Sequence, residues 1–243
     1  MLELIWGKGF ITPGGEGNVD RIVEGVDLEG KQILEIGSGL GGGAMVLAAK
    51  YGASVLGLEI EGPLVERATQ YAKDAGLSGK IEFRQVAPGA FSVPDSSVDF
   101  VYSSGVLCHF EDKPGAFADV YRVLKPGGIF LGYDWLKGPD SLSDRMHEWM
   151  TAAGLTLYPD TLENYVGFLV DAGFDSVSSS DASDWYKQRA TEEFELMSGP
   201  LYEEMAMVAS PDARDQFIEE WRTMRIVLNS GELKSGYLRG RKP

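Results

Sequence analysis

One cysteine and two histidines among 243 residues leave little room for disulfide or metal chemistry. A lone Cys108 forms no internal disulfide, and zinc sites built on thiolates need several cysteines. His109 and His147 are too few for most imidazole centres, so no metal site is expected. Long apolar runs are also missing. A membrane span needs about 20 such residues, and stretches like 129–131 fall far short, so no membrane partner is expected. Positive charge is scarce: 22 Lys and Arg stand against 37 Asp and Glu, a formal charge of −15. That surface repels phosphate backbones and anionic lipid, which argues against nucleic acid as a partner. The opening Met-Leu-Glu-Leu-Ile-Trp lacks a basic stretch followed by an apolar one, so no secretory signal is visible and a cytoplasmic location is expected. Repeats of 20–50 residues are absent as well. What is present suits a soluble globule: 44% hydrophobic and 24% charged residues, over the length of one domain with a modest lid.

Strand-like and helix-like segments alternate up to about residue 140. Strands are expected at 32–36, 54–60, 80–86, 98–103 and 129–135. Helices are expected at 44–51, 64–75 and 113–124, the last broken by Lys125-Pro126-Gly127-Gly128. Such alternation predicts a parallel sheet with crossover helices on both faces and a ligand beyond the carboxyl ends of its strands. Beyond 140 the pattern is mainly helical (141–153, 161–172, 184–197, 201–208 and 212–228), with strands expected at 174–179 and 232–241. We therefore read one domain over 1–243. An N-terminal covering segment (1–30) precedes a core (31–140), then sheet completion with a helical lid (141–230) and a final strand (231–243).

Glycines let the backbone approach a ligand closely, and Gly37, Gly39 and Gly42 alone match the G-x-G-x-x-G fingerprint, a weak signal. Glu35, just before the loop, discriminates better. A carboxylate there is poorly placed beside a pyrophosphate and well placed near an ammonium. Glu59, twenty positions beyond Gly39, fits an acceptor for a ribose diol, in nicotinamide and adenosyl ligands alike.

Together these residues resemble the class I S-adenosylmethionine-dependent methyltransferases. Ile33-Leu34-Glu35-Ile36-Gly37-Ser38-Gly39-Leu40-Gly41 looks like their first motif and Gly57-Leu58-Glu59-Ile60 their second. Val98-Asp99-Phe100-Val101-Tyr102-Ser103 and Leu124-Lys125-Pro126-Gly127-Gly128 look like later ones. A narrower resemblance, to phosphoethanolamine N-methyltransferases, covers nearly the whole chain through Ile5–Gly15, Gly37–Gly43, Tyr51-Gly52-Ala53, Tyr102–Phe110, Tyr133-Asp134-Trp135 and Gly236-Tyr237. The likeness implies an α/β, Rossmann-like, doubly wound and mostly parallel seven-stranded sheet with a helical lid insert, binding S-adenosyl-L-methionine. It implies that Ile11 and Thr12 cover the cofactor's methionine end and that Gly37, with Ser38 and Gly39, contacts its backbone. Glu59 and Ile60 would hold ribose and adenine, with Ala87 beside them, and Ser103 or Ser104 would line the site.

The chain departs from that family in places. Ala87 and Pro88 stand where Asp-Ile is usual, and Gly105 stands where an Asp precedes the active-site His by four. Trp149, Ala153 and Leu155 occupy the stretch that carries phosphate-gripping cations. A phosphate dianion buried without cationic donors costs several kcal/mol, so the expected acceptor is a small amine without a phosphate group. The family's N-terminal Tyr lies upstream of Met1; Tyr102, Tyr133 and Tyr165 are substitutes among which the sequence does not choose.

An amine is mostly protonated near pH 7, and a base with an ordinary pKa of about 6.5 could take that proton. His109, just beyond the fourth strand, is either that base or a structural residue capping the strand. His147 reads as a solvent-facing or lid residue, and Cys108 as buried packing. Gly105, Tyr133, Trp135, Trp149 and Trp185 are candidates for the substrate pocket, since aromatic faces attract methylated cations; core packing is the alternative. The expected partner is a small-molecule methyl acceptor, and a homodimer is compatible with the sequence. Competing functions are O-, C- or S-methylation of a natural product, a nicotinamide-dependent oxidoreductase, and an adenosylmethionine-binding protein without turnover.

Overall fold

A computed structural model describes residues 1–89 and 91–243. Its centre is one seven-stranded sheet: β1 Gln32–Ile36, β2 Ser54–Glu59, β3 Ile81–Gln85, β4 Val98–Ser104, β5 Leu124–Lys137, β6 Asp175–Asp181 and β7 Leu233–Arg241. The order is β3-β2-β1-β4-β5-β7-β6, with β7 antiparallel to both neighbours and the other pairings parallel. The doubly wound architecture is as the sequence predicts. Order reverses between β1 and β4, so the carboxyl ends of these two strands open the crevice where such sheets hold ligands.

Residues alternate across the sheet with the period of two that strands impose. Leu34, Ile36 and Val101 join Phe117, Val120, Tyr165 and Leu169 on one face. Ile33, Phe100, Tyr102 and Leu131 meet Leu47, Ala48, Val19 and Ile22 on the other. The first face is covered by α5 (Lys113–Val123) and α7 (Leu162–Asp171). On the second lie α2 (Gly15–Ile22), α3 (Gly42–Ala49) and part of α4 (Gly62–Asp74). A third core, rich in Met and Trp, joins α6 (Asp144–Ala152), α8 (Ser183–Ser198), α9 (Tyr202–Val208) and α10 (Pro211–Asn229) into a lid. The short α1 (Leu2–Trp6) packs against this lid.

Two features differ from the pattern reading. Strand β5 begins at Leu124 rather than at the expected 129: the Pro-Gly-Gly segment ends the preceding helix as expected but lies within the strand, where the register against β4 shifts between Val98 and Phe100. Helices α1 and α2 have no clear sequence signal. Two glycines in α2 oppose helix formation, and burial of Val19 and Ile22 beside α3 supplies what propensity does not.

Candidate active site

The turn after β1 carries Gly37 at φ 65 and Gly39 at φ 53, left-handed values that glycine adopts freely. Glu35 ends up inside, 4% exposed, with its Oε2 lacking a hydrogen-bond partner. Gly43 at the start of α3 makes room for it: a Cβ there would lie 2.2 Å from Glu35 Oε1. Burial pushes the Glu35 carboxyl up to about 8, the Ala44 amide opposes this, and the charge of Glu59 adds to it. The structure brings Ile11, Thr12, Glu35, Gly37, Ser38 and Gly39 together around one cavity of about 30 Å³. Strand alternation sends Ser104, beside Tyr102, into that cavity, while Ser103 is buried outside it. Asn18 of α2 was not legible as a site residue; it donates to Ser104 Oγ at 3.4 Å and accepts from Tyr237 at 2.9 Å.

At the end of β2, Glu59 accepts from the amides of Gly39 (2.8 Å), Ile60 (2.7 Å) and Glu61 (3.1 Å). These bonds aim the carboxylate across the loop and leave it acceptor capacity for a diol. Ile60 beside it is 49% exposed, a large apolar side chain free for a base to lie on. Ala87 is exposed just beyond the end of β3, where Val86 donates to the Glu59 carbonyl at 2.9 Å.

His109 ends a turn of 3-10 helix, Leu107–His109, directly after β4. Its ring is exposed, and Nδ1 lies 2.8 Å from the Thr156 carbonyl. A carbonyl only accepts, so Nδ1 carries the proton and Nε2 holds the lone pair. Gly105, at φ 69, turns the chain out of β4, and the nearest atom to a Cβ there would be Thr12 Cγ2 at 3.5 Å. No tyrosine is seen bonded to His109 among the described residues. Tyr165 instead donates to Asp134 at 2.9 Å, Tyr102 lies beside Glu35, and Tyr133 is buried against Tyr237. Asp134 also accepts from the Trp135 amide at 2.9 Å, and burial lifts its carboxyl to about 6. Cys108 is buried with its thiol toward Asp134, and burial pushes that thiol well up. His147 is exposed on α6.

The candidate pocket aromatics divide. Trp135 lies 5.8 Å from Trp149 and 6.2 Å from Tyr186, centroid to centroid, so these rings form one cluster under the lid. Trp185 sits further out, edge-on to Tyr133 at 5.8 Å with the Arg21 guanidinium 5.3 Å above it. In the lid interior Glu193 accepts from both the Trp6 indole (2.6 Å) and the Trp221 indole (3.2 Å). Burial raises that carboxyl to about 7.

The residues fit an adenosyl sulfonium. A buried carboxyl with a free oxygen and the unpartnered Ser38 hydroxyl stand where a cationic amino-acid end would bond, and a diol acceptor and an open apolar side chain follow along the strand ends. Residues 34–132 match the family model of a methyltransferase domain. The phosphoethanolamine N-methyltransferase of Plasmodium falciparum is 32% identical over 192 residues, covering 77% of this chain and 70% of that protein. The chain belongs to the class I S-adenosylmethionine-dependent methyltransferases. Two solved structures that share its fold hold S-adenosylhomocysteine and S-adenosyl-L-methionine. The methyltransferase is also 28% identical over 235 residues to phosphoethanolamine N-methyltransferase 3 of Arabidopsis thaliana, covering 96% of this chain and 47% of that one. It thus spans about half the length of several curated relatives it matches. A solved structure, Haemonchus contortus phosphoethanolamine N-methyltransferase 2 with phosphomonomethylethanolamine and S-adenosylhomocysteine, shares the fold. Its TM-score is 0.92 at 24% identity, over 100% of this chain and 56% of that one.

These relatives overturn the expectation of an acceptor lacking phosphate, since four curated relatives that match 96% or more of the chain are phosphoethanolamine N-methyltransferases. The expectation rested on missing cations at a few lid positions, and a cation can come from another helix. Arg225 of α10 lies 4.6 Å over Phe194 with its Nε buried and unpartnered.

Proposed function

We propose that this methyltransferase transfers a methyl group from S-adenosylmethionine to the amine nitrogen of a phosphorylated amine of the phosphoethanolamine class. The observation that carries the reading is the similarity to phosphoethanolamine N-methyltransferases over 96% of the chain. Bound S-adenosylmethionine supplies an electrophilic methyl carbon. The protein's part is to bind, orient and deprotonate. Glu35 and Glu59 hold the two ends of the cofactor. His109 Nε2 accepts the proton that the acceptor ammonium must lose before its nitrogen can attack. Arg225 offers a donor to the phosphate, and the Trp135, Trp149 and Tyr186 cluster excludes water from the transfer.

The test is incorporation of isotope-labelled methyl into phosphoethanolamine, phosphomonomethylethanolamine and ethanolamine. Label is expected in the two phosphorylated amines, with ethanolamine at least about tenfold slower, as loss of one charge-assisted contact implies. Absence of label from both phosphorylated amines overturns the reading. His109→Ala is expected to cut turnover by about 100-fold with cofactor affinity nearly intact.

A further inference from the structure

Lys113 opens α5 and is only 3% exposed. Its position is costly twice over. A buried ammonium without a paired carboxylate is poorly solvated, and the first turn of a helix is the positive end of its dipole. The helix does not need it, because Asp112 already caps it by accepting from the Gly115 amide at 2.9 Å. The ammonium donates instead to two backbone carbonyls, Phe110 at 2.7 Å and Tyr158. Asp134 and Asp160 face it electrostatically, but neither pairs with it among the described residues. Phe110 follows His109 directly. Tyr158 lies two residues beyond Thr156, whose carbonyl holds His109 Nδ1. The Tyr158 amide also donates to the Cys108 carbonyl at 2.7 Å.

We propose that Lys113 is a positioning residue for methyl transfer: by clamping the Phe110 and Tyr158 carbonyls it fixes the Thr156 carbonyl against His109 Nδ1 and keeps the basic lone pair on Nε2. Without the clamp the segment bearing Thr156 is held to the turn by one backbone bond, and the imidazole is free to rotate and to exchange tautomers. The inference rests on His109 being the base proposed above.

The experiment combines Lys113→Met, Lys113→Arg, His109→Ala and the double variant His109→Ala/Lys113→Met, assayed with phosphoethanolamine and labelled S-adenosylmethionine. Lys113→Met is expected to lower kcat by about tenfold or more, with cofactor Kd within about twofold. In the His109→Ala background the same change is expected to cost less than about twofold, because two residues acting through one step are non-additive. Lys113→Arg, which keeps charge and two donors, is expected to retain kcat within about threefold. Nitrogen-15 spectra of histidine-labelled protein, with only His109 and His147 to assign, are expected to show a single Nδ1-H tautomer for His109 that becomes a mixture in Lys113→Met. An equal loss of rate in both backgrounds, or a His109 tautomer unchanged in Lys113→Met, overturns the proposal. Full turnover by His109→Ala sinks the base assignment instead, while the spectra still decide whether Lys113 sets the ring. Should Lys113→Met lack a cooperative melt, Lys113→Gln, with one neutral donor group, is read in the same cycle.

Discussion

At the scale of single residues, the proposed role of Glu35 ties cofactor binding to protons. With its carboxyl raised to about 8, it is mostly protonated at neutral pH in the free protein. The ligand's α-ammonium, common to S-adenosylmethionine and S-adenosylhomocysteine, favours the carboxylate when beside it, so binding near pH 7 is expected to release a proton, and affinity to rise with pH toward 8. Calorimetric titration with S-adenosylhomocysteine in two buffers of different ionisation enthalpy measures this. In Glu35→Gln the proton release is expected to vanish and affinity to fall about tenfold; equal release in that variant would show the proton comes from elsewhere. Glu35 was legible because a carboxylate before a glycine loop is chemically selective. Lys113 was not, since a lysine after an aspartate at a helix start reads as a solvated side chain. Thr156 acts through its carbonyl, which every residue possesses, so no residue type could announce it.

At the scale of elements, the start of α3 shows two demands in conflict. Replacing a helical glycine by alanine ordinarily stabilises by about 0.5–1 kcal/mol. At Gly43 the new methyl would meet the Glu35 carboxylate at 2.2 Å, and displacing a buried carboxylate outweighs that gain. Gly43→Ala is therefore expected to melt no higher than the parent and to bind S-adenosylhomocysteine at least about tenfold more weakly. A higher melting temperature with unchanged affinity would refute the arrangement. The elements themselves were mostly readable, because apolar strands and the helical segments between them alternate from β1 through β5. The two short N-terminal helices were not, for α1 has five residues and α2 contains glycines at positions 15 and 17. Their structure comes from contacts far along the chain, among them the bond from Trp6 to Glu193. The surroundings of Arg225 were unreadable for the same reason, since it comes to lie over Phe194 only through the packing of α10 on α8.

Over the whole molecule, buried carboxyls govern stability against pH. Glu35, Asp134 and Glu193 have folded values near 8, 6 and 7, above their ordinary 4.5, 3.8 and 4.5. Each therefore adds stability that is complete below its ordinary value and lost as pH rises through its folded one. Asp20, Asp99 and Asp181 are held below their ordinary 3.8, so their contribution is present above that value and lost in acid. Thermal melts from pH 4 to 9 are expected to peak at about pH 5 and to decline toward pH 8. S-adenosylhomocysteine is expected to flatten the decline by favouring the Glu35 carboxylate. A melting temperature that climbs through pH 8 would contradict these assignments.

The Trp6 and Trp221 rings, 5.6 Å apart, share the Glu193 carboxylate. The cavity that Ile11 and Thr12 help to close measures about 30 Å³, far below the roughly 300 Å³ that a small-molecule ligand occupies. If the segment following α1 lifts as the cofactor enters, the Trp6 indole at the end of α1 would move with it toward water. Loading should thus be visible as a transient red shift of intrinsic emission, letting the order and speed of cofactor arrival be followed by light alone, with no dye attached.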